Sequence, residues 1–270
     1  MHSQFSETSY GISTIWFSLA RLTAVFGIFL YHYTDLSGIY LYPFDYYSIS
    51  IFCFLSGFFL NAAKDARVKW AIKRYLGIMV PYWLVIIPVF IANHIFQYKN
   101  DLTFTSYFVT VFFGNMFLSD PLYVIAWYIT FVLLLYAYAF VESFLGSNKK
   151  IIFMFAGILL FSMLPQNIGY FILFSTGLRL SERYHVAWPQ NKSGLNAKIT
   201  SVFFTAQRYC YSFFLIHGAV LLFFFRKTDM SPAGIFALSM ASSVIMSFIL
   251  CNISGKLIVI AANKAFKLNY

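Results

Sequence analysis

The stretch IWFSLARLTAVFGIFLYHY, residues 15–33, is nineteen residues long and overwhelmingly apolar. At a rise of 1.5 Å per residue, about 20 apolar residues cross a bilayer as one helix. The exceptions are Arg21 and His32, and such residues are costly in hydrocarbon unless they face protein or water. Eleven residues at 100° each bring both side chains to the same helix face, roughly 16 Å apart along the axis. The stretch therefore predicts a membrane-spanning helix with one polar face.

The composition of the whole chain agrees with this prediction. Of its 270 residues, 60% are hydrophobic and 10% are charged, with a mean hydropathy of +0.73, whereas soluble proteins average about 25% charged residues. The apolar runs are continuous and do not alternate, which favours helices over barrel strands. The net charge of +10 comes from cations in short loops between these runs, a pattern that reports membrane topology and not nucleic-acid binding. Three cysteines in apolar runs fit neither a disulfide framework nor a metal site.

The apolar runs and the loop cations together predict the topology. Residues 104–118 are apolar, but fifteen residues are ambiguous between a span and a re-entrant or interfacial segment. If this segment does not span, every loop cation except Lys99, Arg226 and Lys227 is cytoplasmic, as the positive-inside rule favours. We therefore predict an all-α, polytopic transmembrane helix bundle, one domain over residues 1–270, with about eight spans (eight to ten possible) and both termini in the cytoplasm. The predicted spans are residues 15–33, 47–62, 76–96, 123–144, 151–164, 168–180, 201–225 and 232–253.

Short motifs occur in a characteristic order along the chain. Arg21 and His32 form R-x10-H, FLSGFFL occupies residues 54–60, KRYLGIMVPYW residues 73–83 and YSFFLIHGAVL residues 211–221. A weaker fifth piece, residues 115–136, has a Trp opening the following span. This series resembles the membrane-bound acyltransferase-3 family, integral membrane O-acetyltransferases that modify bacterial surface glycans. The resemblance implies a bacterial cytoplasmic (inner) membrane protein that takes acetyl-coenzyme A as acyl donor and a glycan as acceptor.

The resemblance implies specific roles for the two residues of the opening helix. Acyl transfer needs a base for the acceptor hydroxyl and a cation near the developing oxyanion or the coenzyme phosphates. His32 would be the general base, or would carry the acyl group covalently. Arg21, nearer the cytoplasmic end, would bind carbonyl or phosphate oxygens of the coenzyme. The structural alternative is that Arg21 snorkels to the inner headgroups and His32 anchors the helix at the outer interface.

Further residues carry weaker predictions. Lys73 and Arg74, at the mouth of the third span, would bind coenzyme phosphates, although any cytoplasmic loop is basic. His217 would line the acceptor cavity or orient His32; the alternative is a buried His hydrogen-bonded between helices. Gly57 and its neighbour Ser56 are expected to permit close helix packing.

The polar segment that leads into the fourth predicted span is a candidate acceptor site. Asn115, Asp120 and Trp127 would contact a sugar, with the Trp ring stacking on it, because polar re-entrant pieces line cavities. An interfacial Trp is the ordinary alternative.

Two functional classes remain open at this point. The first is an integral membrane O-acyltransferase that moves an acetyl group from acetyl-coenzyme A to a sugar hydroxyl of a lipid-linked or cell-surface polysaccharide, with no metal. The second is a polytopic transporter or flippase for a small anion or lipid-linked glycan, with Arg21 as the anion site. The inverted repeats typical of many transporters are not visible in the sequence. The oligomeric state is left open.

Overall fold

The computed structural model describes residues 3–39, 44–60, 67–97, 102–114, 116, 118, 123, 126–163, 167–183, 195–228 and 230–266. All regular structure in these residues is helical, which confirms the all-α prediction. Each of the eight predicted spans, and the short apolar segment after the third, contains a helix. The helices are α1 (Ser3–Leu36), α2 (Phe44–Phe58), α3 (Arg67–Phe96), α4 (Phe104–Phe113), α5 (Trp127–Glu142), α6 (Ser147–Ser162), α7 (Ile168–Arg183), α8 (Leu195–Lys227) and α9 (Pro232–Phe266).

Three helical segments are long and apolar enough to cross a membrane: Arg67–Phe96, Arg208–Arg226 and Pro232–Ala261. This finding covers the described residues and suggests a membrane protein. The opening helix α1 is not among these three segments of the described chain. The number of crossings, about eight, stays a prediction.

The chain divides into two compact units, one of residues 1–61 and 154–214 and the other of residues 62–153 and 215–270. In the first unit, α2 contacts both α1 and α7. Two glycines bring α2 and α7 together: a Cβ on Gly57 would collide with the Phe174 carbonyl, and a Cβ on Gly177 would collide with the Phe54 carbonyl. The FLSGFFL motif thus contains a packing glycine, as expected, because only a residue without a side chain allows this backbone approach.

In the second unit, α3 contacts α4, α5 and α9. The ten residues of α4 extend about 15 Å, half the thickness of the hydrocarbon core, so α4 is too short to cross a bilayer alone. Its first turn is capped by Thr103, whose hydroxyl accepts a hydrogen bond from the Ser106 amide at 3.2 Å. It ends at Gly114, where φ is +77° and a Cβ would lie 2.6 Å from Thr130 Oγ1 on α5.

Side chains of α3 hold the C-terminal end of α4. The last carbonyls of a helix have no partner within the helix. Tyr82 donates its hydroxyl to the Thr110 carbonyl at 2.6 Å, and Trp83 donates its indole N–H to the Val111 carbonyl at 2.8 Å. The last two residues of the KRYLGIMVPYW motif therefore fix a short helix against a long one.

We expect Tyr82→Phe to lower the free energy of unfolding by about 1 kcal/mol, because it removes one buried hydrogen bond and little volume. Tyr75→Phe is the matched control, since Tyr75 lies on the same helix with 38% of its surface exposed. Thermal unfolding of the purified protein in detergent measures both. Equal melting temperatures for the two variants would show that the Tyr82 bond does not hold α4.

Candidate functional site

Arg21 and His32 lie on one continuous helix, α1. On the helical wheel Val25 and Ile28 fall on the same face as these two residues, and both are buried. Phe26 falls on the opposite face and is 47% exposed. The ionisable side chains therefore lie on the packed face of the helix, where apolar lipid contact is smallest.

Aromatic residues surround Arg21. Its guanidinium lies over the Phe59 ring, with 4.7 Å between Cζ and the ring centroid. Phe17, one turn earlier on α1, packs against Phe58 and Phe59 with centroid separations of 4.9 and 5.3 Å. A guanidinium stacked on a ring keeps its N–H donors in its own plane, where they suit phosphate or carbonyl oxygens. The R-x10-H and FLSGFFL motifs thus meet at Arg21.

His32 is half-buried near the C-terminal end of α1. The Tyr31 ring meets it edge-on at 5.2 Å. Asp35 and Asp45 are close enough to interact with it electrostatically. Neither acid was predicted from the sequence, although Asp35 follows His32 by three residues, a spacing that brings side chains together on a helix.

The basic residues at the start of α3 lie over aromatic rings of α5 and of the segment that follows it. Arg67 lies over the Phe144 ring at 4.7 Å and Arg74 over the Tyr136 ring at 6.0 Å. Lys73 is exposed. Of the two predicted phosphate ligands, Lys73 therefore points away from the packed residues, whereas Arg74 lies against α5.

Arg74 borders a cavity of about 620 Å³ between α3, α4 and α5. This volume lies within the range of about 300–1,000 Å³ that is typical of ligand pockets. The lining residues are almost all apolar, and Arg74 carries the only charge among those that the structure describes. They are Trp70, Ala71, Arg74, Tyr75, Val109, Phe113, Thr130, Leu133, Leu134, Tyr136, Ala137 and Phe140.

The candidate acceptor residues belong to the second unit where they are described. His217 is buried in α8, with 1% of its surface exposed. Near it in sequence, the Leu215 carbonyl accepts a hydrogen bond from the Tyr123 hydroxyl. Trp127 begins α5 and is half-buried, its ring 6.3 Å from that of Phe131. Asn115 and Asp120 lie outside the described residues.

A buried acid on α5 was not selected from the sequence. Glu142 is only 3% exposed, and the Tyr138 hydroxyl donates to its Oε1 at 3.1 Å. It is the one acidic residue in the apolar run of residues 123–144. A single acid within such a run is the sequence feature that could have identified Glu142 as a candidate. In the described part of the chain, no group of three or more His, Cys, Asp or Glu residues is placed to hold a metal ion.

No protein-family model, curated protein or solved structure matches this chain. Its function must therefore be argued from the residues and their geometry.

Proposed function

We propose that the chain is an integral membrane O-acyltransferase that moves an acetyl group from acetyl-coenzyme A to a sugar hydroxyl of a lipid-linked or cell-surface polysaccharide. The observation that carries this proposal is the placement of Arg21 and His32 on one packed face of α1. Eleven residues of helix separate a cation from a base by about 16 Å, so the two groups serve different parts of one long substrate. The acetyl donor and the glycan acceptor come from the resemblance of the motifs.

The reaction assigns one step to each group. His32 removes the proton of the sugar hydroxyl as the oxygen attacks the thioester carbonyl. The new C–O ester bond forms, the C–S bond breaks, and the proton passes from His32 to the departing thiolate. Arg21 binds phosphate or carbonyl oxygens of the coenzyme with its in-plane N–H groups.

The remaining candidate residues keep the roles that the motif resemblance implies. The exposed Lys73 binds coenzyme phosphates on the cytoplasmic side. His217 and Trp127 contact the acceptor, the Trp ring by stacking on a sugar, and Asn115 and Asp120 belong to the same acceptor segment. Arg74 borders the α3–α4–α5 cavity.

The function is tested by incubating the purified protein with acetyl-labelled acetyl-coenzyme A and polysaccharide or lipid-linked glycan acceptors. We expect label in the glycan and stoichiometric release of free coenzyme A. If no acceptor gains label, and the protein in proteoliposomes instead carries a small anion or a lipid-linked glycan across the bilayer, the transporter class would replace this proposal.

The proposed topology has about eight spans in the bacterial cytoplasmic membrane, both termini inside, and α4 not crossing. We expect a cysteine at Gly146 to react with an impermeant maleimide only from the cytoplasmic side. Gly146 is suitable because it is exposed and a Cβ there meets no neighbour. Met230→Cys, at another exposed position, is the control and should react only from outside.

Both probes require a background without Cys53, Cys210 and Cys251, the three native thiols. Labelling of Gly146→Cys from outside would mean that residues 104–118 cross the bilayer, which would reverse the side of every later loop.

A further inference from the structure

We infer that the α3–α4–α5 cavity is a binding site for one acyl chain of an anionic glycerophospholipid, with Arg74 at its phosphate. This site lies within the second unit and is independent of the proposed acyl transfer. Its evidence is the shape of the cavity, the chemistry of its lining and the position of its one described charge.

The dimensions of the cavity suit one hydrocarbon chain. Along α5 the lining runs from Thr130 to Phe140, ten residues or about 15 Å. That length equals one leaflet of the hydrocarbon core, which is about 30 Å thick in total. The end nearest Val109 and Phe113 is apolar except for Thr130, whose hydroxyl accepts a hydrogen bond from the Met116 amide. A chain there buries methylene groups against hydrocarbon side chains.

Donors cluster toward the other end of the cavity. Trp70 and Arg74 are one turn apart on α3, so they share a helix face. The Trp70 indole nitrogen is buried and has no hydrogen-bond partner within the described structure, and a buried donor without an acceptor is unfavourable. A phosphate bound at this end places a negative charge beside the Arg74 guanidinium.

The short distance between the Arg74 charge and the apolar lining indicates which class of ligand fits the cavity. In a glycerophospholipid only the glycerol separates the phosphate from the acyl chains. In acyl-coenzyme A the whole pantetheine arm separates the phosphates from the acyl group. A guanidinium directly at the edge of an apolar cavity does not match this larger separation. Lys73, exposed next to Arg74 on the same helix, adds positive potential that favours an anionic headgroup over a zwitterionic one.

The experiment is native mass spectrometry of the detergent-purified protein titrated with three probes. These are phosphatidylglycerol, phosphatidylethanolamine with the same acyl chains, and glycerol phosphate without chains. We expect the wild type to bind phosphatidylglycerol most tightly and glycerol phosphate least. Arg74→Gln should weaken phosphatidylglycerol binding about tenfold and remove the preference over phosphatidylethanolamine.

Matched variants distinguish the effect of the Arg74 charge on lipid binding from the effect of the cavity volume. Lys69→Gln makes a similar charge change on the opposite face of α3 and should leave binding unchanged. Ala137→Phe fills the cavity and should weaken both lipids, whereas Val141→Phe, one turn later on α5 and outside the lining, should weaken neither. Size-exclusion chromatography checks that each variant is folded, and Ala137→Phe tests the cavity even if Arg74→Gln does not fold.

Three results would overturn the inference. The first is an equal effect of Arg74→Gln and Lys69→Gln, and the second is unchanged lipid binding in Ala137→Phe. The third is displacement of phosphatidylglycerol by acetyl-coenzyme A or by a polyprenyl phosphate at equal concentration. The cavity would then be a binding site for the coenzyme or for a lipid-linked acceptor. Loss of acetyl transfer in the His32 variants has no bearing on any of them, so the two proposals fail separately.

Discussion

Purified protein carrying His32→Ala is expected to transfer acetyl groups to the glycan about 10²–10⁴-fold more slowly than the wild type, the usual contribution of a general base. Without the imidazole, the sugar hydroxyl must lose its proton to water. The loss should appear in kcat, because the coenzyme contacts assigned to Arg21 and Lys73 remain. The measurement is the rate of label transfer at saturating acetyl-coenzyme A.

His94→Ala is the matched control, since it makes the same substitution at an exposed position on α3. Its transfer rate should equal that of the wild type. Unchanged transfer by a correctly folded His32→Ala protein would remove His32 from the chemistry. If His32 carries the acyl group covalently, the wild type incubated with labelled donor alone becomes labelled and His32→Ala does not; direct transfer leaves both proteins unlabelled.

Gly57→Ala is expected to lower the free energy of unfolding by roughly 1–3 kcal/mol, the usual cost of overpacking a close contact. The added methyl group would overlap the Phe174 carbonyl and approach the Leu178 amide nitrogen to 3.0 Å. Because both are backbone atoms, relief requires α2 and α7 to separate. Unfolding in SDS, followed by loss of helical circular dichroism, measures the difference.

Gly77→Ala provides the control for this substitution. It lies inside α3, and a Cβ there meets no atom within 4 Å. The same change should therefore be neutral or raise stability by up to about 1 kcal/mol through helix propensity. Equal destabilisation by the two substitutions would mean that the α2–α7 contact is not as close as described.

Most of the helices can be predicted from the sequence because a long, continuous apolar run by itself indicates a helix. Each predicted run corresponds to a helix whose ends differ by a few residues, with larger extensions at α1, α3 and α9. Hydrophobicity could not predict those extensions, because polar residues such as those of residues 67–75 continue a helix beyond its apolar part. The packing role of Gly57 was predictable from its place in a span, whereas its partner Phe174 was not.

The site was predictable only where its residues lie on one helix. The common face of Arg21 and His32 follows from helical geometry alone, since 100° per residue is a local property. The contact of Arg21 with Phe59, and the approach of Asp45 to His32, require α1 and α2 to pack side by side. A buried Glu142 and the hydrogen bond from Tyr82 to α4 likewise depend on contacts that no local pattern encodes.

The sequence by itself determined that this is an all-helical chain with a polar face on its first helix, because periodicity and apolar length act within single segments. Only the tertiary structure decided which face of α1 is packed, which glycines allow backbones to approach, and that Arg74 borders an apolar cavity. These features require contacts between residues that are 28 to more than 100 positions apart in the sequence. Such meetings are set by the packing of whole helices against one another, a property that belongs to the assembled fold and not to any stretch of it.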